Sequence, residues 1–327
     1  MDEVCTDFTL DVAWKQILGL NLSEQEIPQF KQAMNDWVGG ISSFRSVLNW
    51  GVKQTPGYKA RMWIESKVNE KIDLLEAQGT PDASTLSGMV FARDDEDGRG
   101  DRKLTRRQVI DNAMLLLLAG SETSASTLAN CMLFLGLQKE TWTKLVEEQR
   151  IMTQKYGEEL TKEMLDGKEC PYLEGVIKEA MRLKPVAGGI PRITKETMIV
   201  EGTQIPKGWM INWSIGLTHE LDPKTYQEDG SHMDVKTGFQ PERWLEESTA
   251  PSDFIPMGAG PRYCLGANLA YAEMKAFLAV LARSVDFELA GNTDNLKWKR
   301  MSIIPKVVDG VPVKVQARTP VAMTLKP

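Results

Sequence analysis

The sequence predicts a mainly helical fold with minor β-sheets. Apolar residues recur at three- and four-residue intervals through residues 7–80: Trp14, Leu18 and Leu20, then Phe30, Met34 and Trp37, then Trp63 and Val68. Alternating apolar and polar residues are confined to a hairpin-like stretch at 198–217 and to the tail from Val285, with Val311, Val313 and Val315. A capping box, Thr105-x-x-Gln108, opens a long helical pattern between these regions.

Each element has its own signal. Pro56-Gly57 separates the second and third helical runs. Residues 93–103 form a polar loop whose acidic run lacks the spacing of a calcium loop. The helix opened at Thr105 should reach about Leu137. Its middle is apolar all round, so burial is expected. Further helices are expected at Glu140–Tyr156, near Leu160–Leu165 and at Tyr172–Leu183, the last ended by Pro185. In the 198–217 hairpin, Glu201-Gly202 and Pro206-Lys207-Gly208 supply the turns.

Size and charge bound the function. The 327 residues exceed the size, roughly 250–300 residues, at which one core usually stops growing. A net charge of −6 gives no general attraction to nucleic acid or anionic membrane. Four scattered cysteines, Cys5, Cys131, Cys170 and Cys264, read as reduced thiols rather than a disulfide framework. The longest apolar run, Ala113–Gly120, falls short of the roughly 18 residues that span a bilayer. The N-terminal residues lack signal-peptide character. A soluble, cytoplasmic chain is expected, or association with the endoplasmic-reticulum membrane through an anchor on a longer eukaryotic parent.

The residues 254–266, Phe-Ile-Pro-Met-Gly-Ala-Gly-Pro-Arg-Tyr-Cys-Leu-Gly, carry the sharpest chemistry. Cys264 stands alone, with no second Cys or His close enough for a zinc site. A helix follows, and Arg262 is adjacent; both favour thiolate over thiol. Gly258, Gly260 and Gly266 let the backbone turn and let a flat group approach. An isolated thiolate behind a flat surface suits an axial ligand of haem iron.

This segment resembles the haem-binding loop of the cytochrome P450 family, F-x-x-G-x-R-x-C-x-G. Gly260, Arg262, Cys264 and Gly266 fill four of its places, and Met257 stands where the family has Phe. Ala119-Gly120-Ser121-Glu122-Thr123 breaks the apolar helix centre. Read by itself, it is a set of hydroxyls bonding back to the preceding turn. It also resembles the family's oxygen-activating segment, which implies that Gly120 leaves room beside the iron while Glu122 and Thr123 deliver protons. Glu179-x-x-Arg182 is by itself a surface pair. With Pro241-Glu242-Arg243-Trp244 it resembles the family's buried charge network, giving Glu179, Arg182 and Arg243 a structural role. Arg192 is either a strand-edge surface charge or, by resemblance, a partner of a haem propionate, as Arg262 is. Residues 186–190 are a plain loop or, by resemblance, a wall of the substrate space. His219 lies in a stretch similar to a family loop and reads as structural.

The resemblance covers residues 105–289. It implies a cytochrome P450 fold lacking its N-terminal third, because the segment from Asp7 is similar to a helix that the family reaches about a third of the way along. One haem-binding domain over 1–327 is expected, holding haem b. The implied oxidoreductase is a monooxygenase that inserts one atom of O2 into an apolar molecule, with sterol-, retinoid- or lipid-like compounds as the expected class. Electrons would come from an NADPH-dependent reductase or a ferredoxin-type donor, because no flavin or nicotinamide motif is present. The alternative is a haem-binding remnant without turnover.

Overall fold

A computed structural model describes residues 1–41, 43, 51–93, 103–226, 238–294, 296–299 and 304–318. The chain divides into two compact units. One comprises Asp2–Ala125 with Lys299–Lys306; the other comprises Met1, Ser126–Trp298 and Val307–Pro327.

In the first unit, α1 (Asp2–Val12) runs into a π-helical turn at Ala13–Ile17 that buries Trp14 and Ile17. Ser23 begins the next helix. Its N–H and hydroxyl both donate to Glu26, at 2.9 and 2.8 Å. That helix, α2 (Glu26–Ile41), buries Phe30, Ala33, Met34 and Trp37, one stripe at i, i+3, i+4 and i+7. Thr55 caps α3 (Pro56–Gln78) by accepting from Tyr58 N–H, Pro56 takes the first helical position, and Gly79 ends it at φ 66°. A short α4 (Thr85–Phe91) is capped by Ser84.

The long helix α5 (Arg106–Leu137) starts at the expected box. Thr105 N–H donates to Gln108 at 2.9 Å and Gln108 N–H to the Thr105 hydroxyl at 3.3 Å. Val109, Ile110, Ala113, Met114 and Leu117 join the apolar core of the first unit. The middle is not buried all round as expected: Leu115 is 60% exposed and Ala119 is exposed. An all-apolar run does not say which side meets a partner. Here the partners lie on the side of Ala113 and Leu117.

The second unit packs α6 (Lys139–Tyr156), α7 (Pro171–Leu183) and α9 (Ala267–Ser284), with α8 (Ile215–Glu220) a short turn between. The Glu148 carboxylate accepts the first N–H groups of α7, Tyr172 at 2.6 Å and Leu173 at 2.9 Å. Among the described residues, three antiparallel two-stranded sheets complete it. Strand β1 (Gly189–Ile193) pairs with β4 (Met210–Ser214), β2 (Met198–Val200) with β3 (Thr203–Ile205), and β5 (Val285–Leu289) with β6 (Val313–Ala317).

The 198–217 hairpin is therefore shorter than the sequence suggests. Glu201 and Gly202, at φ 48° and 79°, turn β2 into β3. The chain then leaves for β1, and Ser214 caps α8 by accepting from Leu217 N–H, so Ile215–Leu217 are helical. The β1–β4 pair keeps large apolar groups outside: Ile193 is 70%, Met210 74% and Trp213 64% exposed. His232 and the acidic run at 94–102 lie outside the described residues. No helix among the described residues is long and apolar enough to cross a membrane.

Candidate functional site

In the second unit the Cys264 loop is closed by its own backbone. Cys264 N–H donates to Met257 O at 2.9 Å, Tyr263 N–H to Gly260 O at 3.0 Å and Gly258 N–H to Ile255 O at 3.0 Å. Gly258 and Gly260 take φ 76° and 63°, where a side chain would be strained. Met257 thus contributes a carbonyl to the loop, which any residue supplies. Of the four cysteines, three are buried and Cys264 is exposed. Leu265 beside it is 90% exposed. A Cβ at Gly260 or Gly266 would meet nothing within 4 Å, so the loop's outer side is open to a flat group.

Strand β1, which carries Arg192, passes beside the loop that carries Arg262. A Cβ built on Gly258 lies 3.7 Å from Ile190 Cδ1 and 3.6 Å from Arg262 O. Ile190 is on β1, and Arg192, two residues on, shares its face. Among the described residues neither Arg192 nor Arg262 forms a salt bridge; Arg192 donates only to Pro191 O, at 2.8 Å. One exposed sulfur and two guanidinium groups without an acidic partner fit an iron macrocycle bearing two carboxylates.

The loop rests on a buried charge network. Glu179 on α7 is fully buried and accepts from Arg182 Nε at 2.9 Å and Nη2 at 2.8 Å, and from Arg243 Nε at 3.0 Å. Two further groups complete its shell, Trp244 Nε1 at 2.9 Å and Gln240 N–H at 3.1 Å. The network continues to the loop through His219. Its Nε2 accepts from Ile255 N–H at 3.0 Å, which leaves Nδ1–H to donate to Arg182 O at 3.2 Å. Burial holds the His219 imidazole below its ordinary range, in the neutral form this bridge requires. Phe254 packs between the His219 and Trp244 rings, with centroids 5.4 and 4.5 Å away.

The polar step of α5 lies in the first unit. The helix runs through it unbroken. Ser121 Oγ donates to Leu117 O at 2.8 Å and Thr123 Oγ1 to Ala119 O at 2.7 Å, the local back-bonding open to any buried hydroxyl. A Cβ at Gly120 would sit 2.8 Å from Ile17 Cδ1, so the room this glycine leaves is taken by the π-helical turn after α1. Glu122 is buried and pairs with Lys306 Nζ at 3.0 Å. Nothing in the sequence pointed to Lys306, which lies far along the chain in a stretch without a motif.

Comparisons with known proteins follow the same lines. The family model for cytochrome P450 matches residues 4–308. A cytochrome P450 26A1 of Gallus gallus is 31% identical over 79% of this chain and 51% of its own length. A putative cytochrome P450 120 of Synechocystis is 30% identical over 86% of this chain and 60% of its own. The chain thus spans about half the length of the curated relatives it matches. Among solved structures, a retinoic-acid-bound cyanobacterial CYP120A1 superposes with TM-score 0.81 at 28% identity, covering 97% of this chain and 69% of that one. A cytochrome P450DA haem domain at 19% identity shares the fold, with TM-score 0.81.

Proposed function

Because the chain belongs to the cytochrome P450 family, we propose that it acts as a haem-thiolate monooxygenase, inserting one atom of dioxygen into an apolar organic substrate. The observation that carries this is the exposed Cys264 on a backbone-closed glycine loop, which itself carries Arg262 and is passed by the strand carrying Arg192. Cys264 Sγ would hold the iron of haem b, and the two guanidinium groups would take its carboxylates. Haem, when bound, supplies reductive scission of dioxygen, with electrons from a separate NADPH-dependent reductase or ferredoxin-type donor.

The chain's own residues supply binding and proton control. Gly258 and Gly260 hold the loop in its turn, and Gly266 leaves its outer side open. On α5, Thr123 Oγ1–H, now resting on Ala119 O, and the Glu122 carboxylate would hold and pass protons, and Gly120 keeps Ile17 seated against the helix. Retinoic acid in the cyanobacterial relative supports a retinoid- or sterol-like substrate for this chain.

A second reading is a haem binder without turnover. The bare apolar groups of the β1–β4 pair favour it, since a two-stranded sheet with Ile193 and Met210 in water is a poor wall for a reaction space. Both readings require the thiolate. Reduced protein with carbon monoxide should give the red-shifted Soret band of thiolate ligation, and Cys264→Ser should lose it. Retention of the band in the variant would sink the ligand assignment. Substrate oxidation with an added reductase separates the two readings.

A further inference from the structure

Ile255 joins the buried network to the Cys264 loop. Its N–H donates to His219 Nε2 at 3.0 Å, and its carbonyl accepts from Gly258 N–H at 3.0 Å. The residue before Gly258, Met257, holds Cys264 N–H on its carbonyl at 2.9 Å. On the far side of the imidazole, Nδ1 faces Arg182 O at 3.2 Å. A neutral ring completes this chain, because one nitrogen must donate and the other accept. A second proton would set Nε2–H against Ile255 N–H, two donors with no acceptor between them. His219 is 1% exposed, so a charge there would also lack water. The charged groups around the ring do not offset this. Arg182, on α7, opposes proton uptake, while Asp222, just after α8, and Asp253, next to Phe254, favour it. The turn that carries Trp244 brings an uncharged indole to Phe254, and its Arg243 is spent on Glu179. Asp222 is itself engaged, accepting from Ser252 N–H at 2.6 Å, Asp253 N–H at 3.0 Å and Lys224 N–H at 3.0 Å. Burial raises the Asp222 carboxyl, but these N–H groups outweigh it and hold it below its ordinary range. Mild acid therefore leaves residues 252–253 tied and reaches the Ile255 end alone.

We infer that His219 is a positioning residue for Cys264 that works as the neutral imidazole, so that proton uptake at Nε2 frees Ile255 and slackens the Cys264 loop while Ser252 and Asp253 stay tied to Asp222. The inference rests on the reading of Cys264 as the haem ligand and adds an acid control to it. One proton passes from water to Nε2, and the Ile255 N–H turns to water; no oxidant or reductant enters the step. Burial lowers the folded-state pKa of the ring from 6.5, while a ring exposed by loop opening regains that value. The tied loop is thus favoured in full above it, and loosening sets in as pH falls below it.

The test compares the wild type with His219→Gln, whose amide oxygen can accept from Ile255 N–H but takes up no proton. In the haem-loaded 327-residue chain under carbon monoxide, the red-shifted Soret band of the wild type should weaken between about pH 7.5 and 5.5, and the variant should keep it. Equal loss in both would place the acid step elsewhere, the Cys264 sulfur included, and overturn the inference; so would retention in both. The second readout needs no haem. Amide hydrogen exchange at Ile255 is measured in the apoprotein against that at Ala270, whose N–H donates to Gly266 O at 2.9 Å with no titrating partner. In the wild type the protection of Ile255 relative to Ala270 should fall on the order of tenfold over the same range. In His219→Gln it should stay constant. Should the variant fail to fold, the wild-type ratio decides alone, and a constant ratio overturns the inference. A chain without the thiolate band at any pH removes the ligand reading, and the exchange ratio still decides whether His219 governs the loop.

Discussion

The Cys264 loop and the polar step of α5 are built on different principles. The loop is closed by backbone hydrogen bonds and braced from beneath by a buried network running Glu179, Arg182, His219, Ile255. The α5 step has no such foundation. Its hydroxyls lean on carbonyls of their own helix, and its acid leans on one lysine from a distant segment. In the proposed reading Cys264 is the ligand that must hold one geometry, and it sits on the over-determined scaffold. In the proposed reading the α5 acid has to move, and among the described residues its ion-pair partner is Lys306.

That contrast is open to attack, most severely at Glu179. Glu179→Ala strands Arg182 and Arg243 in a buried site and should cost about 3–5 kcal/mol. Loss of soluble, cooperatively melting protein is expected; a wild-type melting curve would show that the loop does not depend on the network. The next largest effect belongs to a glycine. A Cβ at Gly175 on α7 would lie 2.7 Å from Pro241 O, a backbone atom of the turn carrying Arg243. Gly175→Ala should therefore cost about 1–3 kcal/mol, read as a lower denaturation midpoint.

His219 gives a smaller, pH-dependent effect. Its folded-state pKa is lowered from 6.5 by burial, so the unfolded chain takes up a proton first. Its contribution to stability is complete above that ordinary value and is lost as pH falls from it toward the depressed folded one. The melting temperature of the wild type should therefore drop relative to His219→Gln as the buffer goes from about pH 7.5 to 5.5. Parallel curves would remove the imidazole bridge from the account. The smallest effect is expected on α5. Gly120→Ala presses only on Ile17 Cδ1, the free end of a flexible side chain, and alanine gains about 1 kcal/mol of helix propensity over glycine. Net stability should change little by calorimetry. A loss comparable to that of Gly175→Ala would erase the distinction between the two regions.

Helix positions were legible because they depend on local signals, such as the Thr105–Gln108 box and the Pro56 start. The loop was legible for the same reason, since its glycines and Cys264 are contiguous. What could not be read was which side of an all-apolar helix would be covered, leaving Leu115 outside. The end of the hairpin was also hidden, because Ser214 capping α8 competes with continuing the strand. For the candidate site, the residue types at Glu179, Arg182 and Arg243 were visible, but Trp244, Gln240 and His219 joined them only through packing. Gly120 shows the limit most clearly. Its spacing fits a motif, while its nearest neighbour, Ile17, is fixed by a π-helical turn that no local pattern announces.

The placement of the four thiols makes the chain its own counter of bound haem. Burial pushes Cys5 up to about 12 and Cys170 up to about 11, so both are sheltered and protonated at neutral pH, and Cys131 is enclosed in α5. An alkylating reagent added briefly to native protein meets one sulfur, that of Cys264. If that sulfur is taken by iron, it is silent. One mass increment per chain in an intact-protein spectrum then reports the fraction without haem, and two or more increments report a chain that has opened.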